Sequence, residues 1–308
     1  MNKPVFGVMD LGSNTFHLIL FYWEDQKIVP VFTLSLPAKI GEGGFGKEGL
    51  LPEAMDRGIA ILSQFKEKLD RYHVTQFRAF GTSALRQAPN SALFLDRVLQ
   101  ETGIRVEVIS GQEEASLIFK GIQAAYPVQR PSMIVDIGGG SIEFILTNHQ
   151  EVVWKTSLEI GGLRLMERFH QYDPLPSSAV DRMQTYFREV LLPVTNAVHQ
   201  YAPEILIGSS GSFDTLVDMW WMNTEGKLPP SEKTHFTLPL VGFDLLKKEI
   251  VSRNESQRRE LPGMIPLRSG MMPVAVVFID HLIQSYHLRE IVVSRYSLKE
   301  GACYTFAV

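Results

Sequence analysis

Three glycine-containing turns, each directly after an apolar segment, carry the residue types that bind phosphate. They span residues 10–15, 136–141 and 208–212. Glycine lets backbone amides approach an anion, hydroxyls donate hydrogen bonds, and a carboxylate can hold a cation that neutralises a phosphate. The alternatives are an ordinary hairpin turn for the first and a tight strand-to-helix connection for the third. The candidate phosphate contacts are Gly12, Ser13, Asn14, Thr15, Gly138, Gly139, Gly140, Ser141, Gly208, Ser209, Ser210, Gly211 and Ser212.

A carboxylate in the first turn of a predicted helix is the candidate general base. Ser110 and Glu113 match the capping box S-x-x-E, so Glu113 has a sufficient structural explanation. Glu114 has none beyond a favourable interaction with the helix dipole. The residue pattern therefore points to Glu114 as the base, with a solvated acid at the helix start as the alternative.

Glu143 is a second carboxylate in an unusual place. It follows Ser141 by two residues in the apolar strand that leaves the second glycine turn, so both side chains point to the same face. A carboxylate there indicates a cation or a water as its partner. The alternative is a charge on an edge strand.

Arg86 is the candidate cation for the substrate. It lies in the segment GTSALRQA, residues 81–88, just beyond a predicted strand. A guanidinium in this position can bind a terminal phosphate with two parallel hydrogen bonds. The alternative is an exposed arginine on a helix.

An internal repeat indicates how these residues are positioned. Residues 5–20 and 133–146 each read as an apolar strand, an aspartate, a glycine turn and a second apolar strand. A polar turn and a third apolar segment follow in both halves, which predicts a three-stranded antiparallel meander at the start of each. Two prolines within residues 126–131 mark the predicted domain boundary and a hinge beside a cleft.

Spacing of apolar residues predicts the remaining elements. Positions three and four apart indicate helices over residues 55–69 and 183–194. Shorter patterns predict strands at 77–81 and 105–109, helices at 91–101 and 113–123, an exposed loop at 223–233 and a core helix at 271–279.

Composition excludes several classes of protein. The chain has 308 residues, 45% of them hydrophobic, which is enough for two soluble globular cores. A net charge of −4 provides no global attraction to nucleic acid or to an anionic membrane, and no apolar run approaches the roughly 18 residues of a membrane span. The lone Cys303 fits a reducing compartment and is expected to be a small buried hydrophobe. With no room for a signal peptide, we expect a cytoplasmic protein.

Together the motifs resemble the Ppx/GppA phosphatase family of exopolyphosphatases and guanosine pentaphosphate phosphohydrolases. The resemblance rests on DLGSNTFHL at residues 10–18, GTSALRQA at 81–88, SGQEEA at 110–115 and DIGGGSIE at 136–143. It implies an α/β fold of two similar actin-like (ribonuclease H-like) domains, each a mixed sheet flanked by helices, with an interdomain cleft. The expected domains are residues 1–125, joined by a C-terminal helix at 298–308, and residues 126–297.

The resemblance also implies roles for individual residues. Glu114 is then the catalytic carboxylate and Arg86 contacts the substrate phosphate. Asp136 and Glu143 serve a magnesium ion and its water, and Asp10 is the third candidate ligand. A homodimer is favoured, with neither nucleic acid nor membrane as a partner.

Two late segments depart from the family pattern. Leu267-Arg268-Ser269-Gly270 lacks the usual acid, and Arg295 stands where the family has aspartate. Both departures concern recognition of a nucleotide by the second domain.

The expected activity is release of terminal orthophosphate from inorganic polyphosphate by magnesium-assisted in-line attack of water. The alternatives are hydrolysis of guanosine pentaphosphate, a kinase of the same superfold, and a guanosine-phosphate binding protein without turnover. The sequence does not separate the two hydrolase substrates or indicate a preferred chain length.

Overall fold

The computed structural model describes residues 3–43 and 49–306. The chain divides into two compact units. One consists of Met1–Gly121, Gly138–Gly140 and Leu298–Val308, and the other of Ile122–Ile137 and Ser141–Ser297. The boundaries 1–125 and 126–297 remain a prediction about independently folding domains.

The first unit is built on a five-stranded mixed sheet with the strand order β3-β2-β1-β4-β5. Strands β1 to β3 form the predicted antiparallel meander, and β4 and β5 extend it in parallel from β1. The strands are β1 (Phe6–Leu11), β2 (Thr15–Glu24), β3 (Lys27–Pro37), β4 (Gln76–Gly81) and β5 (Val106–Val108).

The helices of the first unit follow the predicted periodicity. In α1 the residues at spacings of three and four, from Met55 to Leu69, are buried against the sheet. Proline in the first turn of α1 is compatible with a helix start because that turn needs no amide hydrogen. The helices are α1 (Pro52–Arg71), α2 (Ser83–Gln87), α3 (Ser91–Thr102), α4 (Gly111–Ala125) and α12 (Leu298–Cys303).

The C-terminal helix is shorter than the predicted 298–308. Helix α12 ends at Cys303, which is fully buried as expected. Beyond it the ring of Tyr304 packs edge-on against Trp23, with 5.4 Å between ring centroids, and the ring of Phe306 packs against Phe6 at 5.3 Å. These aromatic contacts with the sheet replace helical continuation. The predicted last residues, 307 and 308, lie outside the described range.

Gly301 allows α12 to contact the backbone of α4. A Cβ on Gly301 would lie 1.7 Å from the carbonyl oxygen of Leu117 and 2.8 Å from the amide nitrogen of Gly121. Backbone atoms cannot yield as side chains do, so we expect Gly301→Ala to destabilise the protein by about 3 kcal/mol, the upper end of overpacking effects. Urea unfolding measures this loss.

The matched control is Gly270→Ala, because a Cβ there meets its nearest neighbours at an ordinary 3.7 Å. A similar loss of stability in both variants would contradict the proposed close approach of the two helices.

The second unit repeats the design of the first with one more strand, in the order β10-β11-β9-β6-β7-β8. Strands β6 to β8 form the second predicted meander, and β9 and β11 extend it in parallel from β6, with β10 antiparallel at the edge. The strands are β6 (Ser132–Ile137), β7 (Ile142–Asn148), β8 (Glu151–Leu158), β9 (Ile205–Ser209), β10 (His235–Leu238) and β11 (Glu290–Ser294).

Helices cover the sheet of the second unit, and α11 is the predicted core helix, with most of its residues buried. None of the helices in the described part of the chain combines the length and the apolar character that crossing a membrane requires. They are α5 (Gly162–Phe169), α6 (Ser177–Val190), α7 (Leu192–Tyr201), α8 (Gly211–Glu225), α9 (Leu240–Ser252), α10 (Glu255–Arg259) and α11 (Met272–Tyr286), with a 3-10 turn at Pro266–Arg268.

Two further differences from the predicted helices have identifiable causes. The single helix predicted over residues 183–194 is broken at Leu191, because Pro193 lacks the amide hydrogen that would continue α6 and instead occupies the first turn of α7. The loop predicted from residue 223 begins later, because α8 runs to Glu225. It ends at Gly226, whose φ of 68° is the left-handed conformation that terminates helices.

Candidate functional site

In the first unit, the candidate base and the candidate phosphate ligand contact each other. Nη1 of Arg86 donates hydrogen bonds to Oε2 of Glu114 at 2.9 Å and to the carbonyl of Ile109 at 3.0 Å. Glu114 is only 7% exposed. Neither residue is therefore a solvated surface charge, which was the alternative interpretation of the sequence. The pair places a carboxylate, which can accept a proton, against a guanidinium, which can bind a phosphate oxygen.

Glu113, next to Glu114, has the structural role predicted for it. Oε2 of Glu113 accepts hydrogen bonds from the amide and the hydroxyl of Ser110, at 2.9 and 2.8 Å, and the Glu113 amide donates to Oγ of Ser110 at 3.2 Å. The bond from the Ser110 amide lowers the pKa of the Glu113 carboxyl. This confirms the capping box.

The first two glycine turns come together within the first unit. A Cβ on Gly140 would lie 2.7 Å from Oγ of Ser13 and 2.5 Å from Oγ of Ser83, so two buried hydroxyls flank the backbone of Gly140. The carbonyls of Ser13 and Asn14 accept hydrogen bonds from the segment after β3, both at 2.8 Å. Sequence reasoning missed Ser83, although the motif GTSALRQA contains it.

In the second unit, the candidate metal ligands lie in one polar row across four strands. Asp136 on β6 is in register with Glu143 on β7 and with Ser209 on β9. Glu143 is in turn opposite Ser157 on β8. The Ser209 hydroxyl donates to Oδ2 of Asp136 at 2.6 Å, the Ser157 hydroxyl donates to Oε1 of Glu143 at 2.7 Å, and Ser297 also donates to Asp136.

The two carboxylates of this row fit a magnesium site. Asp136 is 6% exposed and Glu143 is 1% exposed, and cross-strand like charges repel unless a cation or a proton lies between them. The described residues contain no group of three or more histidine, cysteine or acidic side chains that could hold a metal. Mg²⁺ needs no such group, because it is usually held by one or two carboxylates, waters and substrate phosphates.

Asp10, the third candidate metal ligand, has different neighbours. Its register partners in the sheet of the first unit are His17 and Phe80. The Nδ1 atom of His17 lies 2.7 Å from Oγ of Ser35. In the first unit, His17 thus occupies the position opposite Asp10 that Glu143 occupies opposite Asp136 in the second unit. The magnesium role of Asp10 stays a prediction.

The third glycine turn ends in a helix start with the features of an anion site. Ser210 has a φ of 72°, and α8 begins at the next residue. The hydroxyl of Ser212 is buried and finds no hydrogen-bond partner among the described residues. Helix N-termini attract anions, and a buried hydroxyl without a partner leaves a donor available to one.

Arg268 lies at this helix start and was missed by sequence reasoning, which treated it only as a departure from a motif. A Cβ on Gly211 would be 1.6 Å from its Cζ atom, so the guanidinium rests directly on the turn. Burial lowers the pKa of Arg268, while Asp214 and Asp136 act in the opposite direction. Arg268 is half-buried, and no residue in the described ranges accepts a hydrogen bond from its guanidinium, so this charge is available to an anion.

Arg295, the second departure from the family pattern, neutralises two acidic residues of α8. Its Nη1 lies 3.1 Å from Oδ1 of Asp214, and its Nη2 lies 2.6 Å from Oδ1 of Asp218. Burial lowers the pKa of Arg295, but these two carboxylates outweigh it and raise that pKa overall. The spacing of four between the aspartates was the available signal, because it places both on one side of α8.

Comparison with known proteins indicates the family of this chain. The model of the Ppx/GppA phosphatase family matches residues 21–307. The chain is 27% identical to a guanosine-5'-triphosphate,3'-diphosphate pyrophosphatase of Vibrio vulnificus over 98% of its own length, but spans only 59% of that relative.

Solved structures of similar proteins cover nearly the whole chain. An exopolyphosphatase of Cytophaga hutchinsonii is 40% identical, with a TM-score of 0.95 over 98% of this chain and 97% of that one. A Ppx/GppA family member of Aquifex aeolicus is 20% identical, with a TM-score of 0.83 over 99% and 98%, which is a likeness of fold alone. Since the family model extends over nearly the whole sequence, the chain belongs to the Ppx/GppA phosphatase family.

Proposed function

We propose that this protein is an exopolyphosphatase that releases terminal orthophosphate from inorganic polyphosphate. The buried ion pair of Glu114 and Arg86 carries the proposal, because it combines a proton acceptor with a cation in a chain of a phosphatase family. We choose polyphosphate as the proposed substrate because the Cytophaga hutchinsonii protein, named as an exopolyphosphatase, is 40% identical and of matching length.

Glu114 acts in this proposal as the general base. It orients a water molecule for in-line attack on the terminal phosphorus and accepts the proton as the phosphoanhydride bond breaks. Arg86 holds the carboxylate in place through Nη1 and adds positive charge for the phosphoryl oxygens. Phosphoryl transfer depends mainly on positioning and charge stabilisation, so such fixed groups contribute much of the rate increase.

Asp136 and Glu143 hold the magnesium ion in this proposal. When bound, the ion neutralises charge on the phosphate oxygens. Ser209 and Ser157 orient the two carboxylates by donating hydrogen bonds to them, at 2.6 and 2.7 Å. In this proposal the glycine turns bind further phosphate groups of the polyphosphate, and Arg268 adds a cation at the third turn.

Hydrolysis of guanosine pentaphosphate is the second candidate function. It is supported by the similarity to the Vibrio vulnificus pyrophosphatase, whose additional length this chain does not span. A guanosine-phosphate binding protein without turnover fits less well, because binding alone does not require a buried proton acceptor.

Phosphate release by the purified protein with magnesium distinguishes these functions. Long-chain polyphosphate, tripolyphosphate and guanosine pentaphosphate are compared by kcat/KM at equal protein concentration. We expect a polyphosphate to give the highest value. A higher value for guanosine pentaphosphate would favour the second candidate, and release from none of the three would overturn the hydrolase assignment.

A further inference from the structure

The arginine loop, residues 265–271, presents Arg268 to the third glycine turn. It consists of the 3-10 turn at Pro266–Arg268 and the residues that lead into α11. A long arginine side chain has many rotamers, so its charge is useful at one site only if the backbone beneath it is fixed. Two carbonyls of this loop accept hydrogen bonds from one network of charged residues.

Arg258 on α10 holds the first residue after Arg268. Its side chain is fully buried, at 0% exposure. Nε of Arg258 donates to the carbonyl of Ser269 at 2.7 Å, and Nη1 donates to Oδ1 of Asp173 at 2.8 Å. A buried ion pair contributes little to stability by itself, because desolvation offsets its attraction. The structural role of Arg258 is to hold Ser269 in position through the hydrogen bond to its carbonyl.

His170 holds the next residue of the loop. Its Nδ1 lies 3.2 Å from the carbonyl of Gly270, and its Nε2 lies 3.1 Å from Oδ1 of Asp173. Both partner atoms are hydrogen-bond acceptors, and the imidazole ring bridges them. The carbonyls of the two residues that follow Arg268 are thus bound by side chains that share Asp173.

Asp173 is the centre of this network. Burial raises the pKa of its carboxyl, but hydrogen bonds from Arg258, the Glu255 amide and His170 outweigh that effect and hold the pKa below its usual range. Glu255 also lies near the loop, with Oε1 at 3.3 Å from Oγ of Ser269. Every member therefore either binds the arginine loop or binds a residue that does.

We propose that Asp173, Arg258 and His170 are positioning residues that hold the Arg268 guanidinium at the third glycine turn for binding of a phosphate chain. The inference rests on the proposed function for its ligand, an inorganic polyphosphate. The network acts through Arg268, and removing its central charge weakens phosphate binding only while Arg268 is present.

A double-mutant cycle tests this coupling. Tripolyphosphate binding is measured by calorimetry with magnesium, in a Glu114→Gln background that prevents turnover. We expect Arg268→Met to weaken binding by about 10-fold to 100-fold, the effect of losing a charged hydrogen bond. Asp173→Asn, which keeps the shape of the side chain, should weaken it by about 10-fold, and the double variant should bind no more weakly than Arg268→Met alone.

Two further variants separate positioning from stability. Asp280→Asn removes a comparable ion pair of the same unit, Asp280 with Lys247 at 2.7 Å, and should leave tripolyphosphate binding unchanged. His170→Gln breaks the network more mildly and should also weaken tripolyphosphate binding. It therefore provides a second test in case Asp173→Asn folds poorly. Melting temperatures are recorded for all of them.

The outcomes distinguish this inference from the proposed function. Normal binding by Asp173→Asn and His170→Gln, or a double variant that multiplies the two single effects, would overturn the positioning role while leaving the hydrolase intact. If the parent protein binds no tripolyphosphate, the proposed function fails and this inference falls with it.

Discussion

Glu114→Gln should lower the rate of phosphate release by about 100-fold to 10,000-fold, the usual cost of losing a general base. Glutamine has nearly the same shape, and its carbonyl oxygen can still accept the hydrogen bond that Arg86 donates at 2.9 Å. The fold should therefore persist while the proton acceptor is lost. Steady-state kinetics on tripolyphosphate and thermal unfolding of the same preparation measure both effects.

The neighbouring residue offers a matched control. Glu113→Gln makes the same chemical change one position earlier, at an exposed carboxylate that only caps α4. Glutamine also serves in a capping box, so activity and stability should change little. Near-normal turnover by a folded Glu114→Gln, or equal losses in both variants, would show that Glu114 is not the base.

Glu143→Gln should change activity and stability in opposite directions. Without metal, the change removes the repulsion between two buried carboxylates in cross-strand register, and should stabilise the protein by about 0.5–1 kcal/mol. It also removes a candidate magnesium ligand, whose ion contributes several kcal/mol to such reactions, so phosphate release should fall by about 100-fold or more.

Thermal unfolding with and without magnesium checks this prediction. Magnesium should raise the melting temperature of the wild-type protein, because a ligand stabilises the state that binds it, and should have a smaller effect on Glu143→Gln. For the stability without metal, Asp10→Asn is the comparison, because the cross-strand neighbour of Asp10 is His17 and the substitution relieves no repulsion between like charges. Wild-type activity that resists EDTA, or equal magnesium effects in wild type and Glu143→Gln, would count against the site.

Local patterns in the sequence predicted much of the fold. The repeated order of apolar strand, aspartate and glycine turn corresponds to β1–β2 and β6–β7, and the alternating segments after them to β3 and β8. The capping box at Ser110 and Glu113 was also readable, because all its atoms lie within four residues. Two of the predictions failed, at Leu191 and at Glu225, because the competing signal was a single proline or glycine.

Long-range pairings were not readable in this way. The sequence indicated Arg86 and Glu114 separately, but their hydrogen bond joins residues 28 positions apart. Likewise Asp136 and Glu143 were identified as acids, whereas Ser157 and Ser209 gave no signal that they complete the same row. Only the register of four strands decides that.

By itself, the sequence determined the two meanders, the glycine turns and most of the helices of the first unit, because hydrophobic periodicity, caps and glycine turns act over a few neighbouring residues. It also determined the family, through four ordered motifs. The tertiary structure alone decided that Arg268 lies on Gly211 and that Ser83 flanks Gly140. These contacts depend on strand register and on how loops pack between distant elements, and no periodicity along the chain encodes them.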